Sequence, residues 1–200
     1  MKQETLKRAM DVTLSSLALI ALSPVFAIIA VLVLIDSGPP VLFHHNRVGR
    51  GFRPISVLKF RTMRANNSGP GITIAGDSRI TKVGKWLRLT KLDELPQLWN
   101  VLRGDMALVG PRPEVPEYVE RFETRYREVL RIRPGITDLA SIHFRHEERL
   151  LAASSNPQEE YVSSVLPAKL ELAEQYLRTW TLQGDFALLL KTMLATIRTR

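Results

Sequence analysis

The sequence predicts a helix-rich, mixed α/β protein in which one hydrophobic helix precedes a single compact domain. Three observations support this prediction. Residues 12–35 form a run of 24 residues without a charged side chain. Two short β-like runs, 41–43 and 55–58, lie on either side of a basic turn, residues 47–51. Further along the chain, apolar residues recur at the spacing of one helix face.

The uncharged run is long enough to enter a membrane. At a rise of ~1.5 Å per residue it reaches about 36 Å, against ~30 Å for the hydrocarbon core of a bilayer. Asp11 and Asp36 close it at its two ends. A secretory signal would have a shorter apolar region and a small-residue cleavage site, so we expect the segment to be retained. The predicted boundaries are a membrane helix at 1–36 and a domain at 37–200.

The charges on both sides of this run favour a re-entrant helix over a span. The first 64 residues carry nine basic and three acidic side chains, and the basic ones flank the run on both sides. Positive flanks favour the cytoplasmic side, and a straight span would leave one flank outside. Ser23 and Pro24 lie at the midpoint, where proline removes a backbone hydrogen bond and a serine hydroxyl can bond a freed carbonyl. An ordinary signal anchor with a tolerated proline remains the alternative.

The domain that follows is predicted to alternate short strands, turns and helices. Residues 66–76 are rich in turn-forming types and predict a loop. Apolar periodicity, together with charged faces rich in Glu and Arg, predicts helices at 81–89, 95–103, 115–130, 168–180 and about 185–198. The last of these is amphipathic, and the sequence leaves open whether it lies on the membrane surface or packs on the core.

Composition limits the partners. The formal net charge is +8, which indicates an anionic partner such as a phosphate-bearing molecule, lipid head groups or nucleic acid. No recognition-helix pattern appears, and no aromatic residues alternate with the basic ones, so nucleic acid is disfavoured. The chain has no cysteine, which excludes disulfides and thiolate metal sites.

Two adjacent carboxylates, Asp93 and Glu94, are the strongest candidates for chemistry. Pro96 follows them, and proline is tolerated in the first turn of a helix, so the pair belongs at or just before a helix N-terminus. An acidic helix cap is the simpler explanation for such a pair. The surrounding segments, however, supply basic side chains at Lys59, Arg61, Arg88 and Arg112. Acids among bases suit a divalent cation that bridges a polyphosphate.

Three motifs carry a family resemblance. K-F-R-T-M stands at 59–63, L-R-L-T-K-L-D-E-L-P-Q-L-W-N-V-L-R-G-D-M-A-L-V-G-P-R-P at 87–113, and R-P-G-I-T at 133–137. In order and spacing they resemble the monotopic phosphoglycosyl transferases, the bacterial sugar transferases, in their small form with the catalytic domain alone. The resemblance extends to about residue 140.

This resemblance implies a re-entrant membrane helix broken at Ser23-Pro24 and a catalytic domain on the cytoplasmic face of the bacterial inner membrane. It implies transfer of a sugar 1-phosphate from a UDP-sugar to polyprenol (undecaprenyl) phosphate, with release of UMP and with Mg²⁺ as cofactor. Asp93 would be the nucleophile that forms a phosphosugar intermediate. Glu94 would help to hold the metal or orient Asp93.

The basic residues in the matched motifs receive roles by the same resemblance. Lys59 and Arg88 would neutralise the diphosphate, Arg112 would bind the nucleotide, and Arg61 would add a phosphate contact. Arg145 is a weaker candidate, because the chain departs from the family there.

Three departures from the family are explicit. His45 stands where Gln is usual, Ala107 where Ser is frequent, and Asp138 where Gly is usual. His143 and His146 lack a third ligand at metal-binding spacing.

Two other functions remain open at this point. One is a sugar transferase whose acceptor attacks directly, without a covalent intermediate. The other is a membrane-tethered basic binding protein. The sequence leaves the identity of the UDP-sugar undecided, and it also leaves open whether the working unit is a homodimer.

Overall fold

The computed structural model describes residues 2–64 and 73–197. The helices are α1 Lys2–Ser37, α2 Lys82–Thr90, α3 Gln97–Arg103, α4 Pro116–Arg121, α5 Glu123–Val129, α6 Leu139–His143, α7 Glu147–Ala152, α8 Pro157–Glu160, α9 Leu166–Thr179 and α10 Leu182–Ile197. The strands are β1 Leu42–Val48, β2 Pro54–Phe60, β3 Ala107–Val109 and β4 Gly135–Thr137. The predicted helix-rich α/β class is confirmed.

The strands form two small sheets. β1 and β2 make an antiparallel hairpin, in which Phe43 lies opposite Lys59. β3 and β4 pair in parallel, and α4 and α5 connect them. This second sheet was not predicted from the sequence, because its strands are only three residues long. The hairpin turn begins later than the predicted 47–51, since Arg47 and Val48 still belong to β1.

Most predicted helices are present, with shifts at their ends. Thr81 caps α2 by accepting a hydrogen bond from the Gly84 amide at 3.0 Å. Gly104 ends α3 in the left-handed conformation, at φ 90°, which glycine adopts without strain. The single helix predicted at 115–130 is two helices, α4 and α5, because the backbone leaves helical geometry at Phe122. Most of the loop predicted at 66–76 lies outside the described residues.

Helix α1 is long and apolar enough to cross a membrane. Its 36 residues correspond to about 54 Å of helix. It continues through Pro24, and the Ser23 hydroxyl donates to the Ile20 carbonyl at 2.8 Å. That is the carbonyl which loses its helical partner because proline has no N–H. The kink itself stays a prediction.

Both ends of α1 are fastened to the domain. Near its start, the Arg8 guanidinium donates to the carbonyls of Val101 and Leu102 at 2.6 and 2.9 Å, which are the last carbonyls of α3. Near its end, the Asp36 carboxylate accepts from the Val83 amide at 3.0 Å, at the start of α2. Ile29 and Val33 of the helix are buried beside Phe60 and Leu87. Other apolar side chains of α1 are exposed: Leu17, Ile20, Ile28, Val31, Leu34 and Ile35.

Two further cores complete the domain. One is formed by α4, α5 and α9 around Tyr118, Tyr126 and Leu170. The other joins β2, α3 and β3 through Val57, Val101 and Val109, and α10 contributes Leu188 to it. Helix α10 therefore packs on the core by one face. Its other side chains Phe186, Leu190, Met193 and Leu194 are exposed. The helix therefore packs on the core, as one alternative predicted, and also has the exposed apolar residues that the membrane-surface alternative requires.

A buried carboxylate fastens α1 to α10. Asp185 is 0% exposed and accepts hydrogen bonds from Lys7 Nζ at 2.5 Å, the Tyr176 hydroxyl at 2.7 Å and the Trp180 indole N–H at 3.1 Å. Its three donors come from α1, from α9 and from the residue after α9. One side chain thus joins α1 to the C-terminal region of the chain.

Replacing Asp185 with alanine should lower the free energy of unfolding by about 3 kcal/mol, because Lys7 is left buried beside fewer acceptors. Denaturant unfolding of the purified protein in detergent measures this. The matched control is Gln183→Ala in the same helical turn, where the side chain is exposed and a change within about 0.5 kcal/mol is expected. Equal stability of the Asp185 variant and the wild type would contradict the role given to this contact.

Candidate active site

The Asp93-Glu94 pair lies in a short 3₁₀ turn between α2 and α3. Helix α2 ends at Thr90, the next residue Lys91 has left-handed backbone geometry at φ 57°, and the turn Leu92–Glu94 follows. Pro96 immediately precedes the first residue of α3. The sequence prediction that the pair stands just before a helix N-terminus is confirmed.

Asn100 of α3 holds this segment against the edge of β2. Its side-chain oxygen accepts from the Leu58 amide at 2.9 Å, and its side-chain nitrogen donates to the Ser56 carbonyl at 2.8 Å. The amide group thereby continues the hydrogen bonding of β2 on the side away from β1. This contact places the carboxylate pair next to Lys59, the residue that follows Leu58 on β2.

Glu94 is the centre of an ion-pair cluster. One of its oxygens accepts from Lys59 Nζ at 2.9 Å and from Arg112 Nη2 at 2.5 Å. Its other oxygen accepts from Arg112 Nη1 at 3.2 Å. Burial disfavours the charged form, but the Arg112 guanidinium and the Lys59 ammonium hold the pKa of Glu94 well below its usual range. Glu94 is therefore ionised and fixed between two cations.

Asp93 has a different environment. It is 5% exposed, and its Oδ1 atom is buried without a hydrogen-bond partner. Burial, together with the neighbouring Glu94 carboxylate, raises the pKa of Asp93, while Lys59, Lys91 and Arg88 oppose this rise. Two adjacent carboxyl groups thus differ in environment: Glu94 is held as an anion by two cations, and Asp93 has an oxygen without a hydrogen-bond partner.

The two cations of the cluster, Lys59 and Arg112, differ in how the site affects their charge and position. Burial lowers the pKa of the Lys59 ammonium, and Glu94 opposes that change. Glu94 raises the pKa of Arg112, which stays fully charged. The Arg112 backbone amide donates to Asp138 Oδ2 at 3.0 Å, and the other oxygen of Asp138 caps α6 by accepting from the Ser141 amide at 2.6 Å.

The remaining predicted basic residues bind elsewhere in this structure. Arg88 Nη2 contacts Glu148 Oε1 of α7 at 2.5 Å, although its charge still acts on Asp93. Arg61 donates to main-chain carbonyls of the segment after α1, among them Ser37 at 2.6 Å and Pro39 at 2.8 Å. Arg145 is exposed and donates to the Ala195 carbonyl at 3.2 Å. The structure brings Lys59, Glu94 and Arg112 together, and phosphate binding by Arg61, Arg88 and Arg145 stays a prediction.

The site also contains residues to which the sequence analysis gave no role. Asp138 was noted only as a departure from the family, yet it is buried and positions the Arg112 backbone. Glu114 accepts from Arg47 and from the Tyr161 hydroxyl at 2.6 Å, which joins the segment after Arg112 to β1 and to the π-helical turn Tyr161–Val165. The signal that could have identified Glu114 is its place directly after the Pro-Arg-Pro motif at 111–113.

His45 lies on the same face of the hairpin as Lys59. Its Nδ1 contacts Arg47 Nη2 at 3.3 Å. Burial lowers the pKa of His45 to about 4, and the cations Arg47 and Lys59 add to this effect. The imidazole is therefore neutral near pH 7, and Nδ1 acts as the acceptor for Arg47.

The described residues, 2–64 and 73–197, contain no group of three or more His, Cys, Asp or Glu side chains able to hold a metal ion. The carboxylate pair still suits Mg²⁺, which proteins commonly hold with one or two carboxylates and the phosphates of the substrate. Asp93 Oδ1 is a buried carboxylate oxygen without a hydrogen-bond partner, so it has an unused lone pair for such a ligand.

A buried carboxylate pair among cations, in a chain with one long apolar helix, fits a membrane-associated enzyme that acts on an anionic substrate. The comparison with protein families makes the class definite. Residues 2–199 match the family described as bacterial sugar transferase, and the chain belongs to that family. The resemblance drawn from the sequence motifs is confirmed.

Three relatives show the range of the family. A UDP-glucose:undecaprenyl-phosphate glucose-1-phosphate transferase of Caulobacter vibrioides is 35% identical over 206 residues, covering 96% of this chain and 70% of the relative. An Escherichia coli protein of the same name is 36% identical, covering 94% of this chain and 39% of the relative. A UDP-N-acetylgalactosamine-undecaprenyl-phosphate N-acetylgalactosaminephosphotransferase of Aeromonas hydrophila is 42% identical, covering 68% of this chain and 34% of its own length. The chain thus spans well under half of the latter two.

His45 should make the protein sensitive to acid. The unfolded chain binds a proton as the pH falls through about 6.5, whereas folded His45 resists protonation until about pH 4, so the folded state loses stability between these values. His45→Gln should therefore show a smaller drop in melting temperature from pH 7 to pH 5 than the wild type. The matched control is Asn46→Gln at an exposed position of β1, which changes no titrating side chain and should keep the wild-type pH dependence. A drop at His45→Gln as large as that of the wild type would contradict the assignment.

Proposed function

We propose that this protein transfers a sugar 1-phosphate from a UDP-sugar to undecaprenyl phosphate, giving undecaprenyl-diphosphate-sugar and UMP. This would be the first membrane step in assembling a bacterial glycan or glycoconjugate. The observation that carries the proposal is the unequal carboxylate pair, in which Glu94 is fixed by two cations and Asp93 keeps a free oxygen. The relatives support it, since their names share undecaprenyl phosphate as the acceptor and a sugar phosphate as the transferred group.

In the first step, an Asp93 carboxylate oxygen attacks the phosphorus bonded to the sugar. The bond from that phosphorus to the bridging oxygen breaks, and UMP leaves with the electron pair. Asp93 then carries the sugar phosphate as an acyl phosphate. In the second step, an oxygen of undecaprenyl phosphate attacks the same phosphorus and the Asp93 carboxylate leaves, which restores the enzyme.

The cationic side chains make this attack feasible. A carboxylate approaching a diphosphate meets strong repulsion at short range. Lys59 and Arg112 lie at the pair already, and Arg88 lies close enough for its charge to act on Asp93. Asp93 and Glu94 would hold Mg²⁺ together with substrate phosphate oxygens, and the bound ion would offset further negative charge. Burial and Glu94 raise the pKa of Asp93, whereas Lys59, Lys91 and Arg88 lower it, so these cations also favour the ionised form that can attack.

The two-step route also suits the two substrates. UDP-sugar is soluble, whereas undecaprenyl phosphate stays in the bilayer. A covalent intermediate means that they need not bind at the same time. Direct attack by the lipid acceptor is the competing mechanism, and it requires both substrates in one site. A membrane-tethered binding protein would need no buried carboxylate with a free oxygen.

The same proposal includes the membrane arrangement. We propose that α1 enters the bilayer and returns at Ser23-Pro24, with the catalytic domain on the cytoplasmic face of the inner membrane. Three observations support this. Basic residues flank the uncharged run 12–35 on both sides, and both ends of α1 contact the same domain. In addition, the Ser23 hydroxyl bonds the Ile20 carbonyl that Pro24 leaves without a helical partner. A straight span would place one of those attachments across the membrane.

The names of the relatives differ in the sugar, which is glucose in one and N-acetylgalactosamine in another. A panel of UDP-sugars with UMP release as the readout would identify it.

The covalent intermediate can be tested by leaving out the lipid. Wild-type protein with Mg²⁺ and its UDP-sugar should release at most about one UMP per site and gain the mass of one sugar phosphate. Asp93→Asn should do neither, because an amide is a poor nucleophile, although its size is unchanged. Glu94→Gln should retain the nucleophile but react more slowly. An adduct that persists in Asp93→Asn, or that maps by peptide mass spectrometry to another residue, would remove Asp93 from this role.

Topology can be tested with single cysteines, since the chain has none of its own. Gln3→Cys before the apolar run and Ser155→Cys in the domain are both at exposed positions. An impermeant maleimide should label neither in cells with an intact inner membrane and both after the membrane is opened. Labelling of Gln3→Cys alone in intact cells would show that α1 spans the membrane.

A further inference from the structure

Gln97 is a buried side chain with an unused hydrogen-bond donor. It opens α3, is 2% exposed, and its amide nitrogen Nε2 has no partner. Burial of an amide N–H without an acceptor costs free energy, so such a group in a folded protein calls for an explanation. A methionine of similar size would fill the same space without that cost. The side chain is therefore not explained by packing alone.

Its position links it to the nucleophile. Leu95 and Pro96 both have right-handed helical backbone angles, so the chain keeps helical geometry from the 3₁₀ turn into α3. Residues four apart in such a segment share one face. Asp93 and Gln97 are four apart, and both are buried.

Two complementary unused atoms therefore lie on one face of this segment. Asp93 Oδ1 is an acceptor without a donor, and Gln97 Nε2 is a donor without an acceptor. The next polar residue on that side, Asn100, provides the contrast, because its amide is occupied by Leu58, Ser56 and Asp105. Along this face, the atoms without hydrogen-bond partners are therefore those of Asp93 and Gln97, while the Asn100 amide is fully used.

We propose that Gln97 is a further catalytic residue, whose Nε2 donates a hydrogen bond to a non-bridging oxygen of the phosphoryl group that Asp93 accepts. This inference rests on the proposed function. When the Asp93 oxygen bonds to phosphorus, the other oxygens of that phosphorus lie close to it, and Gln97 is the buried donor on the same face of the segment. A neutral amide donor suits this place, since it binds an anionic oxygen without forming an ion pair with the Asp93 carboxylate.

If Gln97 contacts the phosphoryl group, an apolar replacement should keep or raise the stability of the protein and lower its activity. Gln97→Met keeps the volume of the side chain and removes the unsatisfied donor, so the melting temperature should equal or exceed that of the wild type. The same change removes a contact to the transferred group. The rate constant for UMP release in the absence of lipid should then fall roughly 10- to 100-fold per active site. The matched control is Gln183→Met, at an exposed glutamine in the first turn of α10, which should alter neither quantity.

The experiment uses the full chain in detergent with Mg²⁺ and with UDP-glucose or UDP-N-acetylgalactosamine, whichever the wild type accepts. Rapid-quench measurements give the rate constant of the first UMP release, and its amplitude counts the competent sites. A rate constant within twofold of the wild type would overturn the proposal and leave Gln97 as a packing residue or a water ligand. Loss of folding in Gln97→Met and also in Gln97→Leu would overturn it as well, because the proposal requires apolar replacements to be tolerated.

Failure of the proposed function would look different. In that case the wild type itself would release no UMP and gain no sugar-phosphate mass with either nucleotide sugar. A wild type that forms the adduct, together with a Gln97→Met variant that forms it at the normal rate, would overturn only the role of Gln97.

Discussion

The ion-pair cluster at Glu94 is the contact on which the rest of the site depends. A single buried carboxylate accepts from Lys59 of β2 and from Arg112 after β3, so it ties two separate sheets to the turn that carries Asp93. A buried carboxylate is costly unless cations and hydrogen bonds compensate it, and removal of either cation would leave uncompensated charge. The cluster therefore fixes the geometry of three elements at once, because each of its members needs the others.

The same cluster accounts for the difference between two adjacent carboxyl groups. Glu94 takes the close contacts with cations, and its negative charge then adds to burial in raising the pKa of Asp93. A free oxygen on Asp93 is thus a consequence of how Glu94 is paired. Lys59, Lys91 and Arg88 oppose this rise, so the charge state of Asp93 depends on the balance between these cations and the Glu94 carboxylate.

The sequence predicted those parts of this site that neighbouring residues determine, and it did not predict the contacts between segments that are far apart in the chain. The Asp93-Glu94 pair was predictable because proline at 96 defines a helix start within a few residues, and Lys59 and Arg112 stood in recognisable motifs. Arg61 was assigned to phosphate by the same motif, yet in this structure it binds the carbonyls of Ser37 and Pro39. Nothing local in the sequence distinguishes these two uses of an arginine. The parallel pair β3 and β4 was missed for a similar reason, since strands of three residues carry no periodicity.

Arg61 also shows how α1 is connected to the candidate site. It lies two residues after Lys59 on the same segment of chain, and its guanidinium holds the turn that ends α1. Asp36, at the end of the same helix, holds the start of α2, and α2 leads directly to the carboxylate pair. The end of α1 is therefore attached both to the strand that carries Lys59 and to the helix that precedes Asp93. These two attachments set the position of Asp93 relative to α1, which is what the proposed function requires of a residue that must react with an acceptor held in the bilayer.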